Sequence, residues 1–216
     1  MTAHTEVPLL LIAASGLARE IAAMLASDGS RTVIGMLDDD TAAWGTDRGG
    51  VRVLGAIDSV VDYPQAELLL CAGRGTARSA IAKRLDELGV DSNRYTTVVH
   101  RSVDVPPGCI IGSGSIVLAQ VAITAHVRIG RHVVVMPNAT LTHDDVLEDY
   151  STICAGVALG GDVTVGEYAY LGMNASVRQG LTVGSGSTLG MGAVLLQSLP
   201  TGETWAGVPA SAVRGS

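Results

Sequence analysis

The chain contains no phenylalanine, and aromatic residues fill only 3% of its 216 positions, so interlocking rings cannot build its core. With 47% of residues hydrophobic, the core has to come from small branched side chains, which disfavours a sandwich packed around large aromatics. Lysine is equally scarce: Lys83 stands alone, the formal net charge is −7, and no basic stripe is available to neutralise a phosphate backbone. Nucleic acid is therefore not an expected partner. Small anionic ligands stay compatible, because backbone N–H groups at turns and helix starts hold phosphates without lysine. Three cysteines, Cys71, Cys109 and Cys154, make neither an even set nor a metal-binding spacing, which fits reduced thiols with packing roles. No run of 18 apolar residues occurs, and "MTAHTEVPLLLIAAS" lacks the basic segment and long apolar stretch of a signal peptide. The expectation is a soluble, cytoplasmic protein with no membrane partner. On that expectation the two N-x-S/T matches, at Asn138 and Asn174, are chance.

What is present falls into two halves. From residue 7 to about 100, short apolar runs alternate with amphipathic stretches. "VPLLLIA" reads as a strand, and "SGLAREIAAMLASDG" as a helix closed by Gly29. "RTVIGML" is a second strand, ending in Asp38, Asp39 and Asp40. "VRVLG", "AELLLCAG" and "YTTVVH" supply further strands, and "TARSAIAKRLDELG" a second helix stopped by Gly89. Strands alternating with helices at this spacing predict a small parallel α/β sheet, Rossmann-like, over residues 1–100.

A different rule governs residues 101–216. Every sixth residue from Ile111 to Leu195 is aliphatic, fifteen in succession, and no insertion breaks the phase. If about a third of residues were aliphatic by chance, the odds of such a run would be on the order of one in ten million. Seven of these residues are followed directly by glycine, read here as a supplier of turn conformations, and four positions along sits mostly a small or β-branched residue. A six-residue unit is too short for a helical repeat or a propeller blade, and matches the hexapeptide parallel β-helix. Three units make one triangular coil of eighteen residues, and successive coils stack at roughly 4.8 Å.

This half resembles the left-handed β-helix, hexapeptide-repeat acyltransferases. The whole chain, from "LLLIAASGLARE" through "VIGMLDDD" and "LTHDD" to "WAGVPA", is similar to bacterial sugar acetyltransferases related to the sialic acid O-acetyltransferases and the UDP-linked 4-amino-sugar N-acetyltransferases. The resemblance implies a small nucleotide-sugar-binding domain followed by a β-helix domain with a C-terminal closing segment. It also implies a homotrimer, with acetyl-CoA bound in grooves between neighbouring prisms.

Residues eighteen apart stack on one edge, so Gly161 sits one coil beyond His143, and Ala155, Met173 and Met191 form a column on another edge. These columns would meet only across subunits. By spacing alone His143 is either an exposed corner residue or a base. The resemblance implies the base, with Asp144 orienting its ring, since imidazole titrates nearest physiological pH. A backbone N–H near Gly161 would stabilise the oxyanion of thioester aminolysis. The implied CoA contacts fall on Gly161, Met173 and Met191, the last at a position where the family more often has glycine. Asp145, Glu148 and Asp149 read as a solvated edge. His100 reads as a structural residue at the junction, His126 and His132 lie outside the His143 column, and His4 lies in a frayed terminus. No trio of histidines converges by spacing, so no metal is expected.

In the first half, "IAASGLAREI" resembles the family's glycine-rich turn between first strand and helix, with Ala13 where glycine is usual and Leu17 where histidine often stands. Ser15 and Gly16 at the helix start offer N–H groups to a diphosphate, with a plain strand-to-helix turn as the alternative. Asp38 and Asp39 are either the acids that meet the nucleoside or turn formers. Gly73, in "AGRG", ends a strand beside the same ligand; Arg74 either touches phosphate or is solvated. The resulting expectation is transfer of acetyl from acetyl-CoA to the amine of a nucleotide-linked amino sugar. The alternatives are O-acetylation of sialic acid or acetylation of another sugar or small amine, and a non-catalytic β-helix scaffold.

Overall fold

In the first half, four short apolar runs lie side by side. Leu9–Ile12 (β1), Val33–Leu37 (β2), Val53–Gly55 (β3) and Glu67–Leu70 (β4) form a parallel sheet in the order β3-β2-β1-β4. The computed structural model describes residues 7–29 and 31–213, so His4 lies outside the described residues. All four residues of β1 are fully buried, which explains its unbroken apolar sequence: a parallel strand covered on both faces has no polar side. Helix α1 (Gly16–Asp28) follows β1. Ser15 caps its start by accepting a hydrogen bond from the Ala18 amide, and Gly29, at φ 63°, ends it in the left-handed conformation that glycine adopts freely. Leu17, Ala18, Ile21, Ala22 and Leu25 make its buried stripe. Helix α2 (Gly75–Glu87) is the second helix of the sequence reading.

By contacts the chain divides into two units: residues up to 73 with 77–96, and residues 74–76 with those from 97 onward. One strand changes allegiance. Val98–Val99, within the "YTTVVH" assigned to the N-terminal sheet, pairs with Ile116–Val117 of the second unit instead. Two-residue apolar runs of both halves look alike in sequence, and only the partner separates them.

The second unit is a left-handed β-helix of two-residue strands on three parallel faces. The first face carries the row through Thr152–Ile153 and Tyr170–Leu171, the second that through Thr140–Leu141 and Ala158–Leu159, the third that through Val146–Leu147 and Thr164–Val165. Each pairing joins residues eighteen apart. Of the fifteen periodic aliphatics, fourteen are buried and Ile111 is partly so, giving one continuous core. Trp205 joins that core from the strand Thr204–Ala206, within the closing "WAGVPA".

The glycines after the aliphatics have a different cause from the one read in the sequence. Left-handed backbone recurs at every sixth position from Gly114 to Gly192, and includes Asn138, Asp144, Asp162 and Asn174. These positions lie two residues beyond the glycines. A Cβ on Gly160, Gly166 or Gly172 would instead lie 2.6 Å from a backbone nitrogen of the next coil. Close stacking of coils, not turn conformation, excludes a side chain there. The two glycosylation-like asparagines are accounted for as well, since asparagine tolerates the left-handed conformation.

Candidate active site

Successive coils place Ala125, His143 and Gly161 in one column at the corner between the second and third faces. Their carbonyls accept from the amides of Asp144, Asp162 and Gly180 at 3.0, 2.8 and 2.9 Å. His143 and Asp144 are exposed, with side chains 66% and 56% accessible, and Nδ1 of the imidazole lies 2.9 Å from Asp144 Oδ2. Asp144 occupies the left-handed position of the turn (φ 64°), which brings its carboxylate back to the preceding ring. On the opposite side of the ring, a Cβ on Gly161 would fall 2.2 Å from Nε2. The absent side chain is what makes room for the imidazole. Beside Asp144 is an open depression of about 290 Å³ lined by Gly108, Ile110, His126 and Arg128.

The other acids nearby do not form a solvated edge. Asp145 is fully buried, and its oxygens accept from the Thr142 amide at 2.7 Å and the Val163 amide at 3.0 Å. Burial raises its pKa to about 6, against the opposing pull of those two amides. Glu148 accepts from the Glu167 amide at 3.0 Å, and Asp149 accepts from the Arg131 amide and pairs with its guanidinium at 2.8 Å. The positional rule, which puts an inward side chain four after each aliphatic, applies to Asp145 in spite of its charge.

Met173 and Met191 stand exposed at a different corner, between the first and second faces, 49% and 73% accessible. Within one chain they do not meet His143. His126 and His132 also lie outside its column; His132 stacks on Tyr150 and Tyr150 on Tyr168, with centroids 5.1 and 5.5 Å apart. His100 binds the amide and hydroxyl of Ser102, a junction contact. Among the described residues no group of three or more His, Cys, Asp or Glu is placed to hold a metal ion.

In the first unit, Ser15, Asp38 and Gly73 gather at the carboxyl ends of β1, β2 and β4. The Ser15 hydroxyl donates to the Cys71 carbonyl at 2.6 Å, and Asp38 accepts from the amides of Ala14 at 2.7 Å and Asp40 at 2.8 Å. Asp39 turns elsewhere. It accepts from the Ile57 amide and pairs with Arg84, whose hydrogen bond holds the carboxyl below its ordinary range. Arg74 lies with its guanidinium 5.0 Å from the ring centre of Tyr170, a cation–π contact within the second unit. Sequence reasoning missed three residues. Arg78 is fully buried and donates to the carbonyls of Ala72 and Gly73, Arg84 bridges Asp39 and Asp58, and Trp44 donates from Nε1 to the Asp38 carbonyl at 2.7 Å while 43% exposed. Nothing in the spacing of "TARSAIAKRLDELG" separates a buried arginine from a solvated one.

A hexapeptide prism that projects an imidazole paired to a carboxylate, against a coil cleared by glycine, defines a left-handed β-helix acyltransferase. Comparison with solved structures narrows the class. The acetyltransferase domain of PglB from Neisseria gonorrhoeae FA1090, in complex with acetyl coenzyme A, is 32% identical, with a TM-score of 0.86 over 96% of this chain and 100% of that one. A GDP-perosamine N-acetyltransferase from Caulobacter crescentus, solved with CoA and GDP-perosamine in a variant that replaces a histidine by alanine, is 28% identical. Its TM-score is 0.86 over 95% and 96% of the two chains. WeeI from Acinetobacter baumannii AYE, 19% identical with a TM-score of 0.62, shares the fold. No family model matches the chain. This protein belongs to the hexapeptide-repeat sugar acetyltransferases, the family of the sialic acid O-acetyltransferases and UDP-4-amino-sugar N-acetyltransferases.

Proposed function

We propose that the protein transfers acetyl from acetyl-CoA to the amine of a nucleotide-linked amino sugar by direct attack, with His143 as general base. The observation that carries this reading is the His143–Asp144 pair set against Gly161, in a chain 32% identical to an acetyltransferase domain bound to acetyl coenzyme A. With the Nδ1 proton donated to Asp144, the Nε2 lone pair is available to the acceptor. As the amine nitrogen attacks the thioester carbonyl, Nε2 takes its proton. The tetrahedral oxyanion then collapses, breaking the C–S bond, and the imidazolium passes its proton to the departing sulfur, so that CoA leaves as the thiol and the base is regenerated. Asp144 stabilises the imidazolium formed on the way, and a backbone N–H at Gly161 opposes the oxyanion charge. No covalent enzyme intermediate is required.

The remaining assignments follow the same logic. The β1–α1 turn with Ser15 and Gly16, together with Asp38, Asp39 and Gly73, receives the nucleotide, whose binding energy serves to position the distant amine. Asp39 would exchange its Arg84 contact for the ligand. The corner of Met173 and Met191 receives CoA from a neighbouring subunit of a cytoplasmic homotrimer. That no helix among the described residues is long and apolar enough to cross a membrane is compatible with this location.

Thiol release from acetyl-CoA, measured across UDP-, GDP- and dTDP-linked amino sugars and free sialic acid, identifies the acceptor. His143→Ala is expected to lower kcat about 10²–10⁴-fold while leaving CoA affinity nearly unchanged. Turnover above about a tenth of the parent's would refute the general-base role.

A further inference from the structure

Along the β-helix, the amide after each inward aliphatic donates to the carbonyl of the inward residue one coil on: Thr124 to Leu141, Glu148 to Val165, Cys154 to Leu171, Gly160 to Val177. At Thr142 this ladder is diverted. Its amide turns to Asp145 Oδ2 at 2.7 Å, and its hydroxyl takes over the Leu159 carbonyl at 3.1 Å. Strand pairing records the same break, for Thr140 pairs with Ala158 while Leu141 and Leu159 do not pair, although the rows on either side pair at both positions. The second Asp145 oxygen accepts from Val163, in the coil that carries Gly161. One buried carboxylate thus joins the two coils whose corner holds the His143 ring.

Packing alone does not account for an acid there. Val127, Val163 and Leu181 of its column are buried aliphatics and Cys109 is partly buried, so an apolar side chain fits this position, whereas a buried carboxylate is costly to desolvate. The sequence keeps the costly group at the one corner that projects His143. An apolar rule broken by a group that ties together the two coils flanking the imidazole points to a site.

We propose that Asp145 is a positioning residue, which by taking the amides of Thr142 and Val163 sets the corner that holds the His143 imidazole against Gly161. The proposal rests on His143 being the base. The ionisable groups that act on Asp145 are His143 in its own turn and Asp162 in the coil beyond. Because its folded pKa is raised, the native state binds the Asp145 proton more tightly than the unfolded chain. Its contribution to stability is present at low pH and lost as pH rises through about 6.

Asp145→Val restores the apolar column and separates the two roles. The variant leaves the Thr142 and Val163 amides without that acceptor, so its thermal midpoint is expected to fall, and to fall less above pH 6, where the parent carries the buried charge, than below it. Its kcat should fall about tenfold or more, with KM for both substrates within about threefold. A valine variant with kcat within about twofold of the parent overturns the proposal. If that variant does not fold, Asp145→Asn, which keeps one acceptor, takes its place, and parental kcat in it does the same. A readout independent of turnover is long-range proton–nitrogen correlation of ¹⁵N-histidine protein. The Nδ1–H signal of His143 should sharpen in the parent and broaden or vanish in whichever variant folds; an unchanged signal also overturns the proposal. A parent without acetyl transfer would sink the enzymatic reading while leaving this measurement intact.

Discussion

One missing methyl group decides whether His143 can stand where it does. Because the ring is exposed, a Cβ at position 161 would push it aside rather than force the backbone apart. Gly161→Ala is therefore expected to lower kcat by about 10²-fold with little change in thermal midpoint, a pair of measurements that separates displacement from unfolding. Stacking arithmetic places Gly161 beside His143 from the sequence alone, because a strict repeat turns sequence separation into distance. Asp145 was not legible in the same way. Its charge argued for water, and the two amides that accommodate it belong to residues whose orientation appears only once the coils are built. The pair of Asp38 and Asp39 likewise divides, one acid bracing the β1–α1 turn and the other drawn to Arg84.

Among the elements, helix ends and the β-helix phase are readable because each is fixed locally: Ser15 and Gly29 bound α1, and an aliphatic marks the inward position of each β-helix strand from Ile110–Ile111 to Val194–Leu195. The segment "YTTVVH" divides because pairing is nonlocal: Tyr95 bridges Leu68 of β4, while Val98–Val99 pairs with Ile116–Val117. The β1–α1 turn carries a strain the sequence did hint at. Ala13 has a φ of 79°, a region costly for any residue with a Cβ. Ala13→Gly should accordingly raise stability by roughly 0.5–1 kcal/mol, after allowance for glycine's freer unfolded state, as read from the urea midpoint at constant slope.

At the scale of the whole molecule, the two columns that would share one acetyl-CoA lie on different corners of a single prism, so the proposed chemistry needs a second copy. Sedimentation equilibrium should give about 66 kDa, three chains of 22.1 kDa. A 22 kDa species that still turns over acetyl-CoA would show that one chain suffices and remove the reason for assigning Met173 and Met191 to the thioester.

The eighteen-residue register makes length a discrete variable. One residue gained within a coil would rotate every later aliphatic out of the interior, and six would carry the later columns round to the next edge. Only a whole turn can be added or removed with each side chain returning to its own edge, much as a screw lengthens by threads.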